Sequence, residues 1–368
     1  DEDRDREGTC RLRLTSPGGA VRAEADAEVE SGTRASATVE LSAPVEAPML
    51  WSPEDPQLYE VEVALLSGPI ESVASSVLHE ERIQYGFREV SFSPDEGMRL
   101  NGAPYIMRGV CEHHDAGALG AAVTPEVWER RLRRLKEMGC NAIRVSHNPA
   151  ASTFLDLCDR LGFLVIEEFF DEWQLAKTEH GYSRFFGEWW REDMASTIGR
   201  DRNRTCVVMW SLGNEIRGTD HEETVSIARA LHDECRRLDP SRPTTIGINV
   251  IDKANASGFA DVPDVAGYNG GGGSCFRYER DHEQNPDRII YASEVPHTLQ
   301  TRGVYQTKTW YRDLSLERLP HRFEKAFRLN WLAQPRNRET VTGALGLAYR
   351  PEHQNGQRLP VVVLAHPI

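Results

Sequence analysis

The sequence predicts a multidomain chain, an immunoglobulin-like β-sandwich over residues 1–92 followed by a (β/α)8 TIM barrel over residues 93–368. Two observations separate the domains. Period-two alternation of apolar and polar residues runs through the first part, and short apolar strands separated by amphipathic helices run through the second. A third observation supports the barrel: polar and charged residues end most of the later strands, where barrels collect their functional groups.

In the first domain Cys10, Leu12 and Leu14 alternate with Arg11 and Arg13. Ala37, Val39 and Leu41 alternate with Thr38 and Glu40, and Tyr59, Val61, Val63 and Leu65 form a third alternating set. Gly, Pro and Ser breaks between such sets suit a sandwich. The turn signal Asn101-Gly102 marks the change of rhythm. Tyr105–Val110 predicts the first barrel strand. A helix then starts near Pro125, with Trp128, Leu132, Leu135 and Met138 on one face and Gly139 at its end. Asn141–Val145 is the second strand. The next helix turns Phe154, Leu157, Cys158 and Leu161 inward and stops at Gly162. Phe163–Ile166, Cys206–Trp210, Thr244–Ile248, Asp264–Tyr268 and Ile289–Ala292 continue as strands three to seven. Strands alternating with helices make a parallel sheet, and a barrel of this type takes about 250 residues.

A net charge of -14 with interspersed signs lacks the basic footprint of a nucleic-acid binder, and argues equally against an anionic membrane surface. No apolar run is long enough to span a membrane. The 7 Cys, odd in number, have neither zinc-ligand nor disulfide-framework spacing and read as buried thiols. Cys111 beside His113 invites a metal reading, but no metal site is assigned. The chain opens on Asp1-Glu2-Asp3-Arg4. With neither Met nor a signal peptide there, the expectation is that the native start is missing and that localisation, cytoplasmic or periplasmic/secreted, is unreadable.

Read at strand ends, the candidate residues are His113 and His114; Arg144 and His147; Glu167, Glu168 and Asp171; Asn214 and Glu215; Tyr268 and Asn269; and Glu294. A proton donor, a nucleophilic carboxylate and donors for sugar hydroxyls on one rim are what glycoside hydrolysis requires. Each also has an ordinary reading. A Glu after an apolar strand is commonly a helix cap or a salt-bridged surface group, and the imidazoles and Tyr268 can be packing residues.

The motifs bear on that choice, most directly for Glu215 and Glu294. Trp210-Ser211-Leu212-Gly213-Asn214-Glu215 resembles the acid/base signature of glycoside hydrolase family 2, which includes β-galactosidases, β-glucuronidases and β-mannosidases. Asp201-Arg202-Asn203-Arg204-Thr205 resembles that family's Asp-Arg-Asn-His-Pro with two departures. Asn141–Pro149 resembles its second-strand motif, and Tyr291-Ala292-Ser293-Glu294 its nucleophile segment. Trp51-Ser52-Pro53 with Pro56–Tyr59 resembles the end of its immunoglobulin-like domain. The resemblance implies a retaining β-glycosidase with Glu215 as acid/base and Glu294 as nucleophile, their carboxyls about 5 Å apart. It makes Asn214 the contact to the sugar 2-hydroxyl and His113 and His147 contacts to other hydroxyls or to transition-state charge. Arg144 is expected to keep Glu294 ionised, Tyr268 to hydrogen-bond the same carboxylate, and Glu168 to organise the barrel centre.

The implied partner is an oligosaccharide or other glycoside. Cys111–Asp115 and Thr301–Tyr305 look like the galactosidase branch, and no Asn-x-Lys of the glucuronidase kind follows Glu294. The resemblance implies no organic cofactor, with Mg or Na as the family's ions, and leaves room for a homo-oligomer. The alternative in a different class is a non-catalytic carbohydrate-binding protein. The family's leading jelly-roll domain and its Trp-rich eighth strand have no counterpart, so a fragment is expected, with residues 330–368 off-pattern. Gly343–Leu347 and Pro360–Ala365 are the two runs that could serve as the last strand. With neither in place the barrel would keep two unpaired edges and little turnover is expected.

Overall fold

The computed structural model describes residues 6–31, 38–68, 76–270, 277–295 and 363–365. The chain divides into two compact units, Asp1–Arg88 and Glu89–Ile368. In the first, β1 (Arg6–Thr15), β2 (Val21–Ser31), β3 (Tyr59–Ser67) and β4 (Val77–Tyr85) form one antiparallel sheet in the order β2-β1-β3-β4. The alternation at Cys10–Leu14 and Tyr59–Leu65 thus marks two real strands. Residues 38–41, expected as another, carry no strand, and Ala37 lies outside the described residues. Trp51 and Tyr59 are fully buried anchors of this unit.

The second unit opens with a small antiparallel sheet of β5 (Val90–Ser93), β6 (Gly97–Leu100) and β7 (Ala103–Pro104). The barrel follows: β8 (Arg108–His113), α1 (Pro125–Glu137), β9 (Ala142–Ser146), α2 (Ser152–Leu161), β10 (Leu164–Glu168), α3 (Ser183–Asp201), β11 (Val207–Asn214), α4 (Glu222–Leu238), β12 (Thr244–Ile248), α5 (Ile251–Ser257), β13 (Val265–Asn269), α6 (Tyr278–Gln284) and β14 (Ile289–Glu294). All neighbouring strands in it are parallel. The helix signals act as expected. Pro125 opens α1, and Gly162 closes α2 in the left-handed region at φ 74.

The eighth place is taken by β15 (Val363–Ala365), whose Val363 pairs with Ala292 of β14 and whose three residues pair with Arg108–Val110 of β8. The expected open edges are therefore corrected: the backbone ring is closed. The strand falls within the second of the two runs expected to supply it, at Val363–Ala365; Gly343–Leu347 lies outside the described residues.

The main core lies between strands and helices. Ile143, Val145, Val165, Trp210, Leu212, Ile246, Ala266 and Tyr268 point outward to meet Trp128, Leu132, Phe154, Leu157, Phe186 and Leu231. The alternate residues therefore face the barrel axis. Phe186, Trp190, Met194 and Ile198 give α3 a buried stripe at four-residue spacing, whereas Trp189 is exposed. Cys111, Cys140, Cys158, Cys206 and Cys235 are buried, Cys10 partly so, and Cys275 is outside the described residues. No described helix is long and apolar enough to cross a membrane.

Candidate active site

The centre is Arg144, fully buried on β9. Its length carries the guanidinium up the axis, where Nε and Nη2 donate to Glu168 Oε2 at 3.1 and 2.6 Å, Nη1 to Glu294 Oε2 at 3.2 Å, and Nη2 to Asn214 Oδ1 at 2.9 Å. Four strands thus converge on one planar cation, whose fixed fork suits such multiple recognition. A Cβ on Gly247 of β12 would lie 2.7 Å from Arg144 Nη2 and 3.0 Å from Asn269 Oδ1. Only a glycine leaves room for the guanidinium there.

Glu168 also accepts from Ser211 Oγ at 2.6 Å, and His147 Nδ1 lies 2.6 Å from its other oxygen. Burial pushes this carboxyl up, but Arg144, His147 and Ser211 outweigh it, and it sits below its ordinary value. An ionised carboxylate only accepts, so His147 Nδ1 carries the proton. The rings of His113 and His147 meet edge to face at 5.1 Å. His114 instead sets Nε2 3.1 Å from the Ala121 carbonyl.

Glu215 follows the last residue of β11. It is half-buried, with its backbone at φ 41, a left-handed conformation costly for a side chain other than glycine. Its N–H donates to the Gly247 carbonyl at 2.7 Å, which holds the turn. Asn269 pairs in register with Glu294 across β13 and β14. Its Nδ2 lies 3.0 Å from Glu215 Oε1, 3.2 Å from Glu294 Oε2 and 3.1 Å from Asn214 Oδ1. Ser293 Oγ donates to Asn269 Oδ1 at 2.7 Å, so the amide is oriented with its nitrogen toward the carboxylates. The nearest oxygens of Glu215 and Glu294 are then at most about 6 Å apart, so one amide brings both carboxyls to the same small space. Cys111, with its thiol 3.7 Å from Arg144 Nη1, is pushed up to about 12 by burial and remains a neutral thiol.

Arg144, His147, Asn214, Glu215 and Glu294 are thus brought together, with His113 against His147. Tyr268 is the correction. It belongs to the outer core, and its hydroxyl donates to Asp281 at 2.9 Å and accepts from Arg288 at 3.3 Å rather than reaching Glu294. Adjacent strand residues face opposite sides, so the inward place belongs to Asn269. Asn269 was visible at the strand end but not singled out; the alternation of β13 sets it on the opposite face from Tyr268 without saying which face is inward. Among the described residues no group of three or more His, Cys, Asp or Glu side chains could hold a metal ion.

Residues 93–264 match the family model described as glycosyl hydrolases family 2, TIM barrel domain, and residues 1–88 that described as glycosyl hydrolases family 2. A protein of Formosa agariphila named putative beta-glucuronidase is 37% identical over 294 residues, 79% of this chain and 26% of that protein. Beta-galactosidase BoGH2A of Bacteroides ovatus is 35% identical over 315 residues, 76% of this chain and 35% of that protein. A glycosyl hydrolase family 2 structure from Bacteroides cellulosilyticus superposes with a TM-score of 0.70 at 38% identity, over 79% of this chain and 36% of its own. The chain spans about a quarter to a third of the length of these curated relatives.

Proposed function

Because the chain belongs to glycoside hydrolase family 2, we propose that it is the catalytic segment of a retaining β-glycosidase, with Glu215 as acid/base and Glu294 as nucleophile. The observation that carries this reading is the single Asn269 amide shared by the two carboxylates, which sets an acid and a nucleophile around one site as a double displacement needs.

Glu294 attacks the anomeric carbon while Glu215 gives its proton to the glycosidic oxygen, and the aglycone leaves as an alcohol. A glycosyl ester on Glu294 results. Glu215, now a carboxylate, takes a proton from water, whose oxygen attacks the same carbon and frees Glu294. Two inversions retain the configuration. Arg144, 3.2 Å from Glu294, favours its charged form before attack and stabilises it as leaving group afterwards. Asn214 addresses the 2-hydroxyl, and His113 and His147 line the rim for others.

A terminal β-galactoside is the preferred substrate, on the His113-His114 segment and the missing Asn-x-Lys after Glu294. A β-glucuronide is the second reading, favoured by the name of the Formosa relative. Turnover of nitrophenyl β-galactoside, β-glucuronide and β-mannoside separates them, and a faster glucuronide would overturn the preference. The mechanism itself is tested by trapping with a 2-fluoro glycosyl fluoride and mapping the adduct by mass spectrometry. The label is expected on Glu294; label on any other residue refutes the assignment.

A further inference from the structure

The link between β10 and α3 holds a polar assembly that the reaction above does not use. Glu172 is buried there, and its carboxylate accepts backbone N–H groups from Lys177, from Thr178 at 3.4 Å and from Ser183 at 2.9 Å. Burial pushes Glu172 up, but these amides outweigh it and hold it below its ordinary value. A Cβ on Gly181 would run into the same carboxylate. Glu172 therefore fixes the path of the link, and with it the place of Lys177.

Lys177 Nζ donates to Asp171 Oδ1 and to the Asn214 carbonyl, each at 2.7 Å. Asn214 Nδ2 donates to the same Asp171 oxygen at 3.1 Å. The Asn214 amide thus has a guanidinium, which only donates, at its oxygen and a carboxylate, which only accepts, at its nitrogen. One orientation satisfies both. In it one Nδ2 hydrogen is committed to Asp171, which leaves the other for a ligand. Asp171 is half-exposed, yet its carboxyl is held below the ordinary value. Burial opposes this, while Lys177, Asn214 and the nearby His147 favour the charge.

We infer that Asp171, anchored by Lys177, is a positioning residue that sets the Asn214 amide so that its second N–H meets the sugar 2-hydroxyl. The inference rests on the reading of this site as a glycosidase with Asn214 on that hydroxyl. Arg144 by itself holds only the oxygen end of the amide; Asp171 removes the remaining freedom about the side chain. The contact matters because hydrogen bonds to the 2-hydroxyl strengthen in the transition state of glycoside hydrolysis.

The test compares the full-length protein with Asp171→Ala, Asp171→Asn and Lys177→Met on whichever nitrophenyl glycoside it turns over and on that sugar's 2-deoxy analogue. Asp171→Ala is expected to lower kcat/KM about tenfold or more on the parent sugar and by less than about threefold on the 2-deoxy sugar, which has no hydroxyl to lose. Asp171→Asn still offers an oxygen to Asn214 and recovers part of the loss. Lys177→Met removes the anchor without touching the carboxylate and shows the same selectivity at smaller size. Equal losses on both sugars in Asp171→Ala and Lys177→Met would mean a merely structural role and overturn the inference. A wild-type protein that turns over none of the glycosides overturns the site reading, and this inference with it.

Discussion

Replacing Arg144 by Met tests whether the site is built around a buried charge. Met roughly preserves the volume of the stem, so the main effect is electrostatic. Arg144 and Glu168 are both fully buried and make two hydrogen bonds to each other. Removing one partner of a buried pair costs about 3–5 kcal/mol, because a charge is left uncompensated. Glu168 would keep Ser211 and His147, each at 2.6 Å, which puts the expected cost near the lower end, about 3 kcal/mol. At about 2–4 °C per kcal/mol for a unit of this size, the Tm should fall by about 6–12 °C near pH 7.5.

The pH dependence gives a sharper check. In the wild type the folded-state pKa of Glu168 is depressed, so its contribution is present above the unfolded value and is lost as pH falls through the folded one. In the variant burial is left without its main opponent, and the pKa rises above the unfolded value. The penalty then exists above that value and is relieved by acid. The gap in Tm between the two proteins should therefore narrow from pH 7.5 to pH 5. Scanning calorimetry of both proteins measures it. A gap that is the same at both pH values, or below about 2 °C near neutrality, would refute the reasoning.

Two further outcomes follow from single groups. Asn269→Ala removes the amide shared by Glu215 and Glu294 and should lower kcat/KM about 10- to 100-fold, with Asn269→Asp worse because it adds a third carboxylate. Steady-state kinetics on the nitrophenyl glycoside decides, and a loss under threefold would leave Asn269 without the role given to it. Glu167, facing outward from β10, is raised to about 8, first by burial and then by Asp201; its Oε2 has no hydrogen-bond partner among the described residues, while Oε1 accepts from Ala150 N at 2.7 Å. A carboxyl raised in the folded state costs stability progressively as pH climbs from its unfolded value toward 8. Glu167→Gln should therefore raise the Tm near pH 8, by about 1 kcal/mol or more of stability, and change it little near pH 5; chemical denaturation at the two pH values would expose an equal effect, contrary to this account.

The sequence by itself determined the succession of elements, because the signals are local. Apolar runs such as Thr244–Ile248 and Ile289–Ala292, the Pro125 start and the Gly162 stop depend only on neighbouring residues. It also pointed to Glu215 and Glu294, each standing where an apolar strand turns polar and each lying within a motif, and the structure brings both against the Asn269 amide. Helix α3 was harder to see: charged and aromatic residues surround it, and its stripe at Phe186, Trp190, Met194 and Ile198 stands out only once something packs on it. Tertiary structure alone decided which of Tyr268 and Asn269 enters the site. That depends on the register of β13 against β14, where one step exchanges the two faces. It alone decided that Arg144 gathers Glu168, Asn214 and Glu294 from three other strands, and that Val363–Ala365 joins β14 to β8. Periodicity along a chain carries no information about which distant segment lies alongside, and it is that pairing which places a charge or closes a ring.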